Sequence, residues 1–132
     1  MAIQYTDNIT DLEPAHLKGF FGGWPSRPGT EMHLDILRGS YIIWLALDDN
    51  RCVGFINAIS DGVFSAFIPL LEVLPEYRGQ GIGSELVRRM LDSLDGMYSI
   101  DVICDEDVVA FYAAKGFGKC VGMIKRNREQ IT

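Results

Sequence analysis

An apolar segment, a glycine-rich turn and an amphipathic helix follow one another without interruption from residue 71 to residue 94, and no other part of the chain constrains the fold as strongly. Gly79, Gly81 and Gly83 alternate within the turn. Beyond it, apolar residues recur at helical spacing, at Ile82, Leu86, Val87, Met90, Leu91 and Leu94. The first N–H groups of such a helix are unpaired and lie at the positive end of its dipole, so a phosphate can approach wherever glycine removes the Cβ. The segment therefore predicts a phosphate-binding turn.

Two common types of phosphate-binding turn are excluded by their residue patterns. A Walker-type loop requires Lys followed by Ser or Thr after its last glycine, whereas Gly83 is followed by Ser84 and Glu85. A dinucleotide-binding turn requires a third glycine where Ser84 stands and usually follows the first strand of its unit, whereas roughly seventy residues precede this turn. A different phosphate ligand is therefore expected.

A second motif follows a segment with the pattern of a strand, residues 98–104. It starts at Asp105 and continues through Phe111, Tyr112, Gly116 and Phe117. Both motifs resemble those of the GNAT (Gcn5-related N-acetyltransferase) superfamily, which are Arg/Gln-x-x-Gly-x-Gly/Ala and Asn-x-x-Ala-x-x-Phe-Tyr-x-x-x-Gly-Phe. The first is matched in register by Arg78, Gly81 and Gly83, and the lead-in from residue 71 to residue 79 is likewise typical of the family.

The resemblance implies an α/β (α+β) fold in which a mixed, mostly antiparallel and twisted sheet is flanked by helices, in the order β-α-α-β-β-β-α-β-α-β. Strands are predicted at residues 3–6, 41–47, 52–59, 64–74, 98–104 and 118–126, and helices at 11–20, 30–39, 82–94 and 105–116. Pro69 has no N–H group for a ladder, so a local break is expected within the strand 64–74.

The end of the chain departs from the family pattern. Family members usually close with two strands after the second motif, whereas only residues 118–126 are available for one here. Either the last strand is missing or a partner subunit contributes it, which leaves the acceptor pocket more open than usual. We therefore expect a homodimer that forms through the C-terminal strand, because an exposed strand edge favours pairing.

Composition and length predict one globular domain over residues 1–132, and the resemblance implies that it is an acetyltransferase domain. No stretch approaches the roughly 18 apolar residues of a membrane span, and the N-terminus has no basic region followed by an apolar one, so a cytoplasmic protein is expected. Cys52, Cys104 and Cys120 are widely spaced and form no CxxC pattern, so neither disulfides nor a metal site are expected. The net charge of −6 disfavours nucleic acid as a partner and weakly favours a cationic acceptor.

The resemblance implies that acetyl-coenzyme A binds where the fourth and fifth strands separate. Backbone N–H groups of the turn would hold its pyrophosphate, since such donors require only the shape of the turn and the absence of Cβ atoms. The N–H group of Val73 or Leu74 would polarise the thioester carbonyl, and their neighbours would pair with the pantetheine arm. The expected coenzyme-binding residues are Leu71, Val73, Leu74, Arg78, Gly79, Gln80, Gly81, Ile82, Gly83, Ser84, Asp105 and Tyr112. Asp105 has an equal alternative interpretation as the N-cap of the next helix.

Two residues are expected to move protons. The resemblance places Tyr112 beside the coenzyme sulfur, where a phenol with an ordinary pKa of about 10 could protonate the departing thiolate. An amine acceptor must lose a proton before it attacks, and Glu72 is the first candidate for the base. Asp61, Glu31 and a surface His33 come next, and a water-mediated route is the alternative. Packing and surface roles are the competing interpretations of Tyr112 and Glu72.

In this superfamily the loop between the first two helices usually selects the acceptor. Here Trp24 and Arg27 in that loop would suit an apolar or aromatic acceptor that bears a carboxylate, although the same residues could cap the core. We therefore predict an N-acetyltransferase that transfers the acetyl group of acetyl-coenzyme A to an amine of a small molecule or protein. The alternatives are a non-catalytic acyl-coenzyme A binding or sensing module and an acyltransferase that uses a longer acyl chain.

Overall fold

The structure is a computed structural model that describes residues 2–130 and contains a five-stranded sheet flanked by helices. The strands are β1 (Gln4–Thr6), β2 (Ile42–Asp48), β3 (Arg51–Ser60), β4 (Ser65–Val73) and β5 (Ser99–Val102). The α-helices are α1 (Thr30–Gly39), α2 (Ile82–Ser93) and α3 (Val109–Ala113). Short 3₁₀ turns cover Pro14–Leu17, Pro75–Tyr77, Glu106–Val108 and Arg128–Gln130. The predicted fold class is confirmed.

The sheet has the strand order β1-β2-β3-β4-β5. The first four strands are antiparallel neighbours, whereas β5 lies parallel to β4 and is reached through the crossover helix α2. The pairing of β4 with β5 ends at Ile68 and Val102, although β4 continues to Val73. Beyond that last pair the two strands no longer pair, and we call the space between residues 69–73 and 103–105 the β4–β5 wedge.

The expected break at Pro69 is present as an irregularity between β3 and β4. The register of this ladder shifts between Asn57 and Ile59, opposite the segment that contains Pro69. The regular register resumes at Leu70 and runs to Val73, so the end of β4 that borders the wedge is firmly paired with β3.

Alternating residues of β3 pack on the two faces of the sheet. Gly54 faces α2, where a Cβ would lie 3.2 Å from side-chain atoms of Ile82 and of Leu86. Phe55 faces the other side, and its ring lies 5.2 Å from the ring of Phe20 in an edge-on contact. The close approach at Gly54 holds the beginning of α2, and therefore the glycine-rich turn, against the centre of the sheet.

The prediction of a helix over residues 11–20 is wrong. This segment contains only the 3₁₀ turn Pro14–Leu17, which ends in an extended Lys18. Gly19 then takes a φ of +100° and Phe21 a φ of +65°, and neither angle continues a right-handed helix. Leu17 and Phe20 are nevertheless buried, so the apolar spacing did indicate which residues face the core.

The predicted C-terminal elements are also only partly present. The helix expected over residues 105–116 is divided into a 3₁₀ turn and the short α3. Residues 118–126, expected to form the closing strand, belong to no strand in the part of the chain that the structure describes. Val121 and Met123 are each 93% exposed there. A strand requires a neighbour for its N–H and C=O groups, and this segment has none within residues 2–130.

No helix within residues 2–130 is both long and apolar enough to cross a membrane. The three cysteines are free, with Cys52 buried, Cys104 half-buried and Cys120 exposed.

Candidate active site

The glycine-rich turn leaves the start of α2 open. Gly79 and Gly81 have φ angles of +79° and +84°, the left-handed region that costs a residue with a Cβ about 1–2 kcal/mol. A Cβ at either position would meet no atom within 4 Å in the described chain, so the backbone conformation, and not crowding, favours glycine. As the N-cap, Gly81 offers no side-chain oxygen. The N–H groups of Ile82, Gly83 and Ser84 therefore have no capping partner within residues 2–130 and can bind an anion.

An open cleft of about 290 Å³ lies at these N–H groups. It is lined by Val73, Tyr77, Arg78, Gly79, Gly81, Ile82, Gly83, Ser84 and Phe111. The structure thus brings together most of the residues predicted to bind the coenzyme and adds Tyr77 and Phe111. Phe111 belongs to the second motif, and a Cβ at Gly83 would lie 3.8 Å from its ring. The predicted residues Leu71, Leu74, Gln80, Asp105 and Tyr112 are not among the lining residues.

The side chain of Arg78 connects the turn to the end of β4. Its Nε donates a hydrogen bond of 2.9 Å to the carbonyl oxygen of Val73. Arg78 forms no ion pair within residues 2–130, so the surface ion pair weighed for it from the sequence is not formed there. The guanidinium therefore adds positive charge beside the open N-terminus of α2 and the wedge.

Of the two backbone donors proposed for the thioester carbonyl, the N–H of Leu74 is already used within residues 2–130. The N–H of Leu74 donates to the carbonyl oxygen of Val53 at 2.8 Å, so this donor is used within the sheet. Successive N–H groups of a strand point to opposite sides, so those of Val73 and Leu71 point away from β3, toward the wedge. The prediction for the Leu74 amide is therefore corrected: its N–H belongs to the β3–β4 ladder, and its side chain is buried.

Tyr112 projects from α3 into the core beside the end of β5. Only 8% of the residue is exposed, and its ring packs edge-on against Phe111 and Phe117. Burial, with a smaller contribution from nearby Cys104, raises the pKa of Tyr112 to about 12. None of the side-chain hydrogen bonds within residues 2–130 involves its hydroxyl, whereas the hydroxyl of Tyr77 donates to Asp48. The hydroxyl therefore stays protonated near neutral pH and is available to donate to a ligand.

Asp105 lies on the surface at the N-cap position of the 3₁₀ turn Glu106–Val108. Its side chain makes no capping hydrogen bond, whereas its carbonyl oxygen accepts one of 2.9 Å from the N–H of Val108. The capping contact weighed from the sequence is thus absent from the described structure.

Glu72 is half-buried on β4 and accepts a hydrogen bond from the loop of residues 19–28, which we call the acceptor loop. Both of its carboxylate oxygens lie 3.1 Å from the backbone nitrogen of Phe21, which donates to them. Burial raises the pKa of Glu72, while the Phe21 N–H and the charge of Arg78 act in the opposite direction. A carboxylate of raised pKa is a better base than an exposed one.

The acceptor loop, residues 19–28, is anchored by aromatic residues. Phe21 is 1% exposed, and its ring lies 5.0 Å from that of Trp24. Trp24 itself is 44% exposed, so it presents a ring at the surface beside a buried anchor. Arg27 is exposed, and within residues 2–130 it forms no ion pair.

The other three candidate bases lie at the far end of β4, on the surface of α1 or in the core, away from the wedge. Asp61 accepts hydrogen bonds from the N–H groups of Val63 and Phe64 in the β3–β4 turn, at the opposite end of β4 from Glu72. Glu31 is exposed in the first turn of α1. His33, expected at the surface, is 1% exposed; burial lowers its pKa to about 4, and its ring nitrogens have no partner within residues 2–130. Helical periodicity alone did not reveal that His33 faces the core.

A family model for the acetyltransferase (GNAT) family matches residues 9–123. The chain belongs to the GNAT acetyltransferase family. The match spans the acceptor loop, the glycine-rich turn and the second motif, so the family includes all the elements that build the site.

Solved and curated relatives agree with this membership. The crystal structure of a candidate acetyltransferase from Deinococcus radiodurans R1 has a TM-score of 0.93 and 42% identity, over 96% of this chain and 90% of that one. Histone acetyltransferase TAP1 of Glycine max is 32% identical over 72% of this chain and 46% of its own length. Serotonin N-acetyltransferase 2 of Oryza sativa subsp. japonica, named as chloroplastic, is 30% identical over 92% of this chain and 67% of its own length. The chain spans about half the length of most curated relatives that it matches, for example 43% of a second Glycine max protein.

Proposed function

We propose that this GNAT-family protein transfers the acetyl group of acetyl-coenzyme A to an amine of a small molecule or a protein. The observation that carries the proposal is the uncapped N-terminus of α2, which lies next to the wedge that exposes the Val73 N–H. An anion site and an oxyanion donor thus lie on two sides of one cleft, as a pyrophosphate-bearing thioester requires.

The proposed orientation of the coenzyme places its pyrophosphate at the start of α2 and its acetyl group in the wedge. Its pyrophosphate would accept hydrogen bonds from the N–H groups of Ile82, Gly83 and Ser84, where the helix dipole also favours negative charge. Its pantetheine arm would then run along the free edge of β4 at Leu71 and Val73, much as an added strand would. The acetyl group would reach the wedge near Tyr112.

The residues around the wedge would divide the chemistry between them. The amine nitrogen attacks the thioester carbon, and the Val73 N–H stabilises the resulting oxyanion. Glu72 accepts the proton that the amine must lose, and Tyr112 donates a hydrogen bond or a proton to the sulfur as the carbon–sulfur bond breaks. The products are an amide and free coenzyme A.

The acceptor is proposed to be an amine with an aromatic or apolar body. The support is the exposed ring of Trp24, which packs on buried Phe21, the residue whose N–H contacts Glu72. One relative is named for serotonin, which is an aromatic amine, and another for histones, which are protein acceptors. Arg27 would bind a carboxylate on the acceptor. We place the reaction in the cytoplasm, because three free cysteines suit a reducing compartment.

A second candidate function is a non-catalytic acyl-coenzyme A sensor. It is favoured by the hydrogen bonds at Glu72, since both carboxylate oxygens are already in contact with the Phe21 N–H. Such a module would keep every coenzyme contact and lack a free base.

Release of free thiol from acetyl-coenzyme A separates these functions. The amine panel would contain an arylalkylamine, an aromatic amino acid, a polyamine and a lysine-containing peptide. We expect thiol release above the hydrolysis background with at least one aromatic amine. Calorimetric binding of the coenzyme without release for any amine would instead identify a sensor. Propionyl- and butyryl-coenzyme A in the same assay distinguish an enzyme for longer acyl chains.

We also propose that two copies associate through residues 118–126. The open edge of β5 and the two exposed apolar side chains of Val121 and Met123 support this. Burial of two such side chains contributes about 3–6 kcal/mol, so the double variant Val121→Asp/Met123→Asp should weaken association by more than about 10²-fold. Sedimentation velocity at micromolar concentration measures this.

Arg128→Asp is the matched control. It makes the net charge more negative by the same amount as the double variant, and residue 128 lies outside residues 118–126. It should therefore leave association unchanged. A monomeric parent protein would contradict the proposed dimer.

A further inference from the structure

Glu72 and the acceptor loop are joined at one backbone position. Glu72 pairs with Phe55 across the β3–β4 ladder, and its side chain contacts the loop on the α1 side of the sheet. Its two oxygens share one donor, the N–H of Phe21, at 3.1 Å each. The two residues lie 51 positions apart in the chain, so this contact fixes the loop to the sheet.

Phe21 is held in an unfavourable backbone conformation. Its φ of +65° lies in the left-handed region, which is costly for a residue with a large side chain. Its ring is fixed among buried aromatic groups, with His33 at 4.9 Å and Phe55 at 6.0 Å between ring centroids. Because the ring cannot move freely, the hydrogen bond to Glu72 is the contact that compensates the strained backbone.

The position of Trp24 depends on the position of Phe21, because a backbone hydrogen bond joins them. The N–H of Trp24 donates to the carbonyl oxygen of Phe21 at 3.2 Å and closes a tight turn through Gly22 and Gly23. A Cβ at either glycine would meet nothing within 4 Å in the described chain, so this turn is held only at its ends. Release of Phe21 would therefore change the position of the exposed Trp24 ring.

We propose that Glu72 is a positioning residue as well as a base: its ionised carboxylate holds the acceptor loop in place, and uptake of a proton by this carboxylate releases the loop. The proposal rests on the proposed acetyl transfer, because the proton comes from the attacking amine. It moves from the amine nitrogen to a carboxylate oxygen of Glu72 and afterwards to water. A charge-assisted hydrogen bond is roughly twice as strong as a neutral one, so protonation weakens the contact with Phe21. The loop thus opens when the acetylated product is ready to leave.

The charged and titratable groups around this contact leave Glu72 as the group that switches. Arg78, from the turn after β4, acts on the carboxylate and favours its ionised form. His33 of α1 lies behind the Phe21 ring, and because its pKa is lowered to about 4 it is neutral at any pH above that value. Arg51 of β3 lies near Gly19 and is paired with exposed Glu76 at 3.5 Å.

Fluorescence of Trp24 tests the proposal without any acceptor. The chain has two tryptophans, so all variants carry Trp44→Phe, which leaves Trp24 as the reporter. The Trp44→Phe parent should show a change of Trp24 emission on acidification, centred above the ordinary carboxyl value, because burial raises the pKa of Glu72. Glu72→Gln resembles the protonated carboxyl, because it offers Phe21 only a neutral oxygen, and it should show the released emission with no such transition. Glu72→Leu should show the released emission at every pH.

Kinetics with an accepted amine provide a second readout. Loss of the loop anchor in Glu72→Leu should raise the KM for the amine by about tenfold, the equivalent of the strain that the carboxylate offsets. Glu72→Gln should lower kcat and also raise KM, because its neutral oxygen holds Phe21 only weakly. Glu76→Gln, an exposed glutamate of the same turn region, is the matched control and should change neither emission nor kinetics.

The two proposals fail in different ways. An acid transition of Trp24 that persists in Glu72→Gln, or native emission in Glu72→Gln or Glu72→Leu, would overturn the role of the ionised Glu72 carboxylate in holding the loop. An unchanged kcat of Glu72→Gln together with the released emission would overturn its role as the base and leave its role as the loop anchor in place.

Discussion

Gly81→Asp is expected to abolish binding of coenzyme A while the fold remains intact. Gly81 is the N-cap of α2 at a φ of +84°, and its new side chain would project beside the three uncapped N–H groups. A carboxylate there would compete for those N–H groups and repel the pyrophosphate. Close approach of like charges costs several kcal/mol, so we expect at least about 10²-fold weaker binding. The fold should persist because a Cβ at this position meets no atom within 4 Å in residues 2–130, and the left-handed backbone costs the new side chain only about 1–2 kcal/mol.

Calorimetric titration with coenzyme A measures the loss, and thermal denaturation checks the fold. Gly96→Asp is the matched control, since it adds the same charge at a position whose Cβ would also be unobstructed but which lies after the far end of α2. Gly81→Ala separates the Cβ from the charge and should have the smaller effect. Unchanged affinity in a folded Gly81→Asp protein would move the coenzyme away from this turn.

Tyr112→Phe is expected to reduce kcat by roughly 10²-fold, the usual effect of removing one hydrogen-bond donor that stabilises developing charge. The change removes only a hydroxyl that has no hydrogen-bond partner within residues 2–130, so the edge-on packing with Phe111 and Phe117 should be preserved. Tyr112, with a pKa of about 12, is a weaker acid than a thiol, whose ordinary pKa is about 8.5. We therefore expect it to act mainly as a hydrogen-bond donor to the developing thiolate, which affects kcat more than KM.

Single-turnover rates with one accepted amine measure the chemical step directly. Tyr98→Phe removes an equivalent hydroxyl from a residue that is 81% exposed and stacked on Phe64, so it should leave the rate unchanged. An unaltered chemical step in Tyr112→Phe would make Tyr112 a packing residue. An equal loss of coenzyme affinity would instead assign the hydroxyl to binding.

The sequence predicted the glycine-rich turn and α2 well because their determinants are local. Left-handed φ angles at Gly79 and Gly81 depend on the residue itself, and the apolar spacing that begins at Ile82 specifies which face of α2 is buried. The strands β2, β3 and β4 were likewise located to within one residue, since turn residues bound each of them.

The acceptor side was predicted less well because its determinants are distant in the chain. No local pattern links Phe21 to Glu72, and only the packing of the sheet against α1 brings them together. Spacing within α1 did not show that His33 is enclosed by Phe20, Phe21 and Phe55. The choice between the amides of Val73 and Leu74 required the register of the ladder with β3, which pattern analysis does not provide.

Pro69 has a consequence for the energetics of coenzyme binding. It directly follows Ile68, the last residue of β4 that pairs with β5, and it has no N–H group to extend that pairing. The two strands do not pair beyond Ile68 and Val102, so under the proposed function a pantetheine arm breaks no hydrogen bonds between them. A site that is open before its ligand arrives avoids the cost of reorganisation, so affinity for the coenzyme reflects the contacts themselves. One imino acid thus keeps open the edge of β4 that is proposed to bind the coenzyme.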